Sequence, residues 1–126
     1  MPKKLLIDAD VFVDFLLGEQ HAREFLANLP EATFYYSPLT RLELLANDLC
    51  ADPGVRNATA AVLSLGKKVD IDDSIVSLAS EIKRKHAIGM NEAILAASAL
   101  HIKAELVTKN IGAYRKITEL LLMRPY

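Results

Sequence analysis

The chain has 126 residues, 52% of them hydrophobic and 25% charged, with a net charge of −1. That length suits one domain over residues 1–126 with ample material for a core. The charge balance argues against bulk electrostatic capture of nucleic acid, so any such contact must be local. No apolar run is long enough to span a bilayer. Leu5–Ile7 runs straight into charge and does not read as a signal peptide, so a cytoplasmic location is expected. The single cysteine, Cys50, allows neither an internal disulfide nor a thiolate zinc cluster.

Lys4–Ile7 reads as a short buried strand ending in Asp8. Asp10 is placed to cap a helix carrying Val11, Phe12, Phe15 and Leu16, stopped by Gly18. A second helix is expected from Glu19 to Leu29, before Pro30. Thr33–Tyr36 is β-rich. Ser37-Pro38 then reads as an N-cap and first helical residue of a helix reaching about Cys50. Asp52-Pro53-Gly54 breaks it, and a further helix runs to about Gly66. Lys68–Ile71 is a strand candidate, followed by a helix capped by Asp72 or Asp73 and ending in Lys83-Arg84-Lys85-His86. Asn91 is expected to cap an apolar helix from Glu92 to about Ile102, with Met90 and Leu95 spaced as a hydrophobic staple. Leu106–Thr108 reads as a buried strand, with a short helix near Tyr114 and a last strand at Leu120–Met123. The alternation predicts an α/β fold whose mainly parallel sheet carries helices on both faces.

Certain carboxylates are out of place in this pattern. Positions 39, 42, 43, 46, 49 and 50 share a helix face and read Leu, Leu, Glu, Ala, Leu, Cys. A carboxylate on such a stripe is costly unless something satisfies it, so Glu43 is an internal ion-pair partner, a residue at the stripe's edge that reaches water, or a site residue. Glu92 opens a very apolar helix, where the helix dipole alone would favour an acid. Asp8 stands at the carboxyl end of the first strand, where open α/β sheets bind ligands, and Asp10 follows two residues later. Thr108 and Asn110 reach the same edge if the strands are parallel. Two unit charges ~4 Å apart repel by about 4 kcal/mol at an effective dielectric near 20. Either their pKa values rise or a cation separates them. Oxygen ligands select Mg²⁺ or Mn²⁺, and an open site of that kind suits phosphodiester chemistry.

Leu5-Leu6-Ile7-Asp8-Ala9-Asp10-Val11 resembles the opening of PIN-domain nucleases. Ser37–Leu44, Asn91–Leu100 and Leu106–Asn110 resemble their second, third and fourth motifs, and Arg124-Pro125-Tyr126 also suits small members. The resemblance covers essentially the whole chain and is nearest to the VapC-type toxins of toxin–antitoxin pairs. It implies a PIN-like three-layer sandwich and an endoribonuclease. It makes Asp8, Glu43 and Glu92 the Mg²⁺ or Mn²⁺ ligands, helped by Asp10 and Asn110, with Thr108 positioning water or phosphate. It further implies an RNA substrate, a small cognate antitoxin in an apolar groove between the first two helices and the Pro38–Cys50 helix, and a homodimer. The sequence departs from the family at Glu92, where aspartate is usual, at Ala9 for threonine, and at Ala113, where an acid commonly precedes the aromatic.

Asp8-Ala9-Asp10-Val11 also resembles the opening of haloacid-dehalogenase-type phosphatases. Asp8 would then be the nucleophile and Asp10 the general acid, with Ser37, Lys68 and Asp72-Asp73 completing the site. The chain is short for that family, and Glu43 is left without a purpose. A non-catalytic interaction module is the third alternative, since the third and fourth motifs are altered.

Overall fold

The triplet Leu5-Leu6-Ile7 forms strand β1 and sets the architecture, because alternate side chains point to opposite sheet faces. Leu5 and Ile7 enter one core with Val11, Phe12, Phe34, Leu44, Leu63 and Val107. Leu6 enters the other, with Ile75, Ile82, Leu95, Leu106, Tyr114 and Ile117. The computed structural model describes residues 3–29 and 34–126. The expected strand start at Thr33 and the helix stop at Pro30 lie outside the described residues.

Among the described residues, β1 joins β2 (Phe34–Tyr36), β3 (Lys67–Lys68), β4 (Glu105–Val107) and β5 (Leu122–Met123) in one sheet of order β3-β2-β1-β4-β5. Every pairing is parallel, with Leu6 opposite Tyr35 on one side and Leu106 on the other. Helices α1 (Ala9–Leu16), α2 (Gln20–Ala27), α3 (Pro38–Ala46) and α4 (Pro53–Leu63) supply the core around Leu5 and Ile7. Helices α5 (Asp73–His86), α6 (Met90–Ile102) and α7 (Ile111–Tyr114) supply the core around Leu6. The three-layer α/β sandwich expected from the sequence is therefore present. The chain leaves β1 towards β2 and β3, then returns on the far side as β4. The gap between the β1 and β4 ends is thus the switch point where such sheets bind ligands.

Local signals fix most helix starts. Ser37 accepts the Leu39 N–H, Asp52 the Gly54 N–H and Asp72 the Ile75 N–H. Gly18 takes φ +82° and turns the chain between α1 and α2. Four expectations are corrected. Asp8, not Asp10, occupies the N-cap of α1 and accepts the Ala9 N–H at 2.7 Å. Gly89, not Asn91, occupies the cap position of α6. The Met90–Leu95 staple does not form, because Met90 is then the first helical residue and is 64% exposed. The helix from Pro38 also ends early. Asn47 leaves the helical region and caps a separate 3-10 turn, Asp48–Ala51.

That break moves the buried face of α3. Leu49 and Cys50 are out of phase with the residues before Asn47, so the stripe through positions 39, 42, 43, 46, 49 and 50 does not exist as one surface. Thr40 and Leu44 are the buried residues of α3, and Leu42 is 62% exposed. Glu43 is an exposed residue on the flank of the buried face, not a carboxylate in the core.

Candidate active site

The site is built on two adjacent strand ends. The Asp8 N–H donates to the Val107 carbonyl at 2.9 Å, the last rung between β1 and β4. Beyond that rung, Asp8, Asp10, Asp14, Glu43, Asn91, Glu92, Asn110 and Tyr114 line a pocket of about 410 Å³. The structure therefore brings together five of the six residues singled out from the sequence: Asp8, Asp10, Glu43, Glu92 and Asn110. The sixth, Thr108, is fully buried behind them and does not line the pocket.

Thr108 holds the two aspartates. Its hydroxyl lies 3.0 Å from Asp8 Oδ2 and 3.3 Å from Asp10 Oδ2, sharing one proton between them. The hydroxyl oxygen accepts the Asn110 N–H at 3.0 Å. The Lys109 N–H donates to the same Asp10 Oδ2 at 3.0 Å. Relieved of capping, Asp10 directs this oxygen to the Thr108–Asn110 turn. Its other oxygen, Oδ1, is buried and has no hydrogen-bond partner.

The opposite wall comes from α3 and α6. Asn91, which does not cap α6, donates its amide to Glu43 Oε1 at 3.2 Å and links the two helices. Glu92 turns back over Gly89, and a Cβ at position 89 would collide with its carboxylate. Gly89→Ala leaves an ordinary backbone conformation (φ −65°) yet displaces Glu92. Mn²⁺ affinity measured by calorimetry is expected to fall about tenfold, with little change in melting temperature.

The electrostatics agree with the crowding. Burial, then the charge of Asp10, pushes the Asp8 carboxyl up to about 6 against the opposing hydrogen bonds of Thr108 and Ala9. Burial also raises Asp10, opposed mainly by the Lys109 N–H. Although its residue is largely exposed, the Glu43 carboxyl is raised by partial desolvation at the pocket wall and then by the charge of Glu92, while the Asn91 amide opposes. Tyr114 follows Ala113 in the short helix α7. Its buried hydroxyl reaches Asp8 Oδ2 at 3.5 Å. Burial and the charges of Asp8, Glu92 and Asp10 push this phenol up, so it stays protonated.

The donor set fits a hard divalent cation. It offers carboxylate and amide oxygens, an orphaned buried carboxylate oxygen and an uncompensated negative charge. Among the described residues, no three Asp, Glu, His or Cys side chains converge on one point as placed.

Three polar pocket residues were missed as site residues in the sequence: Asn91, Asp14 and Tyr114. Asp14 lies four residues after Asp10, hence on the same face of α1, a signal that was available. The phosphatase alternative is not assembled. Ser37 is buried as the α3 cap, Asp72 caps α5, and Lys68 pairs with Asp70 at 3.4 Å. None of Ser37, Lys68, Asp72 or Asp73 lines the pocket.

Comparison with known proteins places this arrangement. The structure is similar to a toxin–antitoxin complex from Klebsiella pneumoniae, with a TM-score of 0.84 at 21% identity over 97% of this chain and 98% of that one. It is similar to DNA-bound VapBC from Salmonella typhimurium, with a TM-score of 0.83 at 16% identity over 100% of both chains. VapBC2 from Rickettsia felis, bound to a DNA fragment from its promoter, gives 0.80 at 19% identity over 95% of this chain and 97% of that one. At these identities the likeness establishes the fold. No curated protein matches the sequence significantly. A PIN-domain model matches residues 5–119, nearly the whole chain including all four motifs, and the protein therefore belongs to the PIN-domain family of nucleases.

Proposed function

We propose that the protein is a Mg²⁺- or Mn²⁺-dependent endoribonuclease and the toxin of a toxin–antitoxin pair. One observation carries the metal dependence: the pocket at the β1–β4 switch point is walled by Asp8, Asp10, Glu43 and Glu92, with Asp10 Oδ1 buried and unpaired. A phosphodiester is itself anionic, so this pocket repels its substrate until the charge is offset.

Asp8 and Asp10 would hold the cation from the strand side, and Glu43 and Glu92 from the helix side. A bound cation supplies charge neutralisation and a water acidified enough to attack phosphorus. The chain supplies the rest. Thr108 fixes Asp8 and Asp10 through its shared proton and is a positioning residue, shielded from substrate by its burial. Asn91 orients Glu43. Asn110 borders the opening and is placed to contact substrate or water.

The partner is a small antitoxin protein, and the fold's neighbours in toxin–antitoxin complexes support it. The surface we assign to it is an apolar depression of about 200 Å³ between α1, α2 and α4, including Phe15, Leu26, Val62 and Leu65. This shifts the expected groove from the Pro38 helix to α4. A cytoplasmic homodimer belongs to the same reading. No described helix is long and apolar enough to cross a membrane.

The test is cleavage of a structured RNA by the purified protein. Cleavage is expected with Mn²⁺ and is expected to stop on addition of EDTA. Cleavage that persists in EDTA would overturn the proposal.

A further inference from the structure

Asp14 lines the acidic pocket, yet its carboxylate is already engaged. Lys109 Nζ and the Tyr126 hydroxyl both approach Asp14 Oδ2 at 2.6 Å. These two contacts hold the Asp14 carboxyl below the usual carboxylate range. The Lys109 ammonium also lies 5.7 Å from the centre of the Tyr126 ring, within cation–π reach. Arg124 completes the arrangement. Its Nη1 donates to the Lys109 carbonyl at 2.9 Å, and its Nε to the Tyr126 carbonyl at 3.2 Å.

Lys109 is therefore gripped at three points. Its N–H is bonded to Asp10, its carbonyl to Arg124, and its ammonium to Asp14 with Tyr126 alongside. A half-exposed Lys–Asp pair taken alone contributes little. Here it is one link in a continuous chain from Arg124 and Tyr126 to the Asp10 carboxylate.

We infer that Arg124 and Tyr126 are positioning residues that clasp Lys109, so that its N–H holds Asp10 Oδ2 and leaves Asp10 Oδ1 free for a divalent cation. Asp14 belongs to the clasp and is not a cation ligand. The inference rests on reading the pocket as a cation site. Outer hydrogen bonds of this kind commonly set metal affinity by about 10–100-fold, because they fix the orientation of the ligand.

The test uses the full chain, first without metal. Amide exchange followed by NMR is compared at Lys109 and at Glu105, whose N–H is bonded to Lys4 across β1 and β4. In Tyr126→Phe and Arg124→Ala, the Lys109 amide is expected to exchange about tenfold faster while Glu105 is unchanged. Calorimetry is then expected to show Mn²⁺ binding about tenfold weaker in both. Lys109→Met should weaken it similarly, and Lys109→Arg, which keeps a cation beside Asp14, should restore it. Unchanged Lys109 exchange in both variants would overturn the clasp. Faster exchange with wild-type Mn²⁺ affinity would overturn its role in positioning Asp10. Absence of Mn²⁺ binding in the wild type would overturn the cation-site reading itself, and is recognised without any variant.

Discussion

Asp8→Asn is expected to abolish activity and, in the absence of metal, to make the protein more stable. The activity loss should be at least about two to three orders of magnitude, the scale seen when one preorganised electrostatic group is removed from a site. The stability gain follows from the cost of the charge. Asp8 titrates at about 6 in the fold against 3.8 for the free side chain. At neutral pH that difference corresponds to about 3 kcal/mol spent on keeping a buried carboxylate ionised. Asparagine removes the charge at nearly the same shape and can still accept the Ala9 N–H. It offers Thr108 a poorer acceptor, which offsets part of the gain. The net expectation is about 1–3 kcal/mol, read as a melting temperature raised by roughly 3–10 °C in EDTA at pH 7.5. Loss of activity through simple misfolding would lower it instead.

The second large effect is an inverted pH dependence of stability. Asp8 is raised to about 6, and Asp10 and Glu43 are raised in the same direction. Such a group binds its proton more tightly in the folded state than in the unfolded one. Its stabilisation is complete below the unfolded value near 3.8 and is lost as pH rises through about 6. Asp14 has the opposite sign, but being lowered from 3.8 it acts below that window and does not cancel the trend. Without metal, thermal unfolding should therefore occur at a lower temperature at pH 7.5 than at pH 5. Saturating Mn²⁺ should reverse the order, since ligand at 100 times its dissociation constant adds about 2.7 kcal/mol and binds the ionised carboxylates. A metal-free melting temperature that rises steadily from pH 5 to 7.5 would contradict the assignment of buried, uncompensated carboxylates.

Asp8 was legible because its position depends only on a short apolar run ending in an acid, and strand ends are where open parallel sheets place their chemistry. The layers were legible for a related reason, since apolar strands alternating with amphipathic helices leave few other packings. Glu43 was found for a mistaken reason. The apolar stripe that made it anomalous crosses Asn47, where the helix ends, and Leu42 on that stripe faces solvent. Its place in the pocket comes from the packing of α3 against α1, which no local pattern encodes.

Caps were the other weak point. Asp8 and Asp10 are both good N-caps, as is Asn91, and propensity cannot choose between neighbours. The choice is made across the sheet. Thr108 and Lys109 offer Asp10 two donors about a hundred residues away in sequence, and Glu43 offers Asn91 an acceptor on another helix. The Arg124–Tyr126 segment gave no local sign of touching Asp14, because that contact exists only once β5 has paired with β4.

The four carboxylates at the β1–β4 switch point are proposed to form a cation site. Cation binding there is tested most directly by calorimetric titration of Mn²⁺ into metal-free protein at pH 7.5, with Asp8→Asn and Glu43→Gln in parallel. The account predicts saturable binding by the wild type that is lost in Asp8→Asn and weakened in Glu43→Gln, while both variants remain folded. No binding by the wild type, or undiminished binding by both variants, would contradict it.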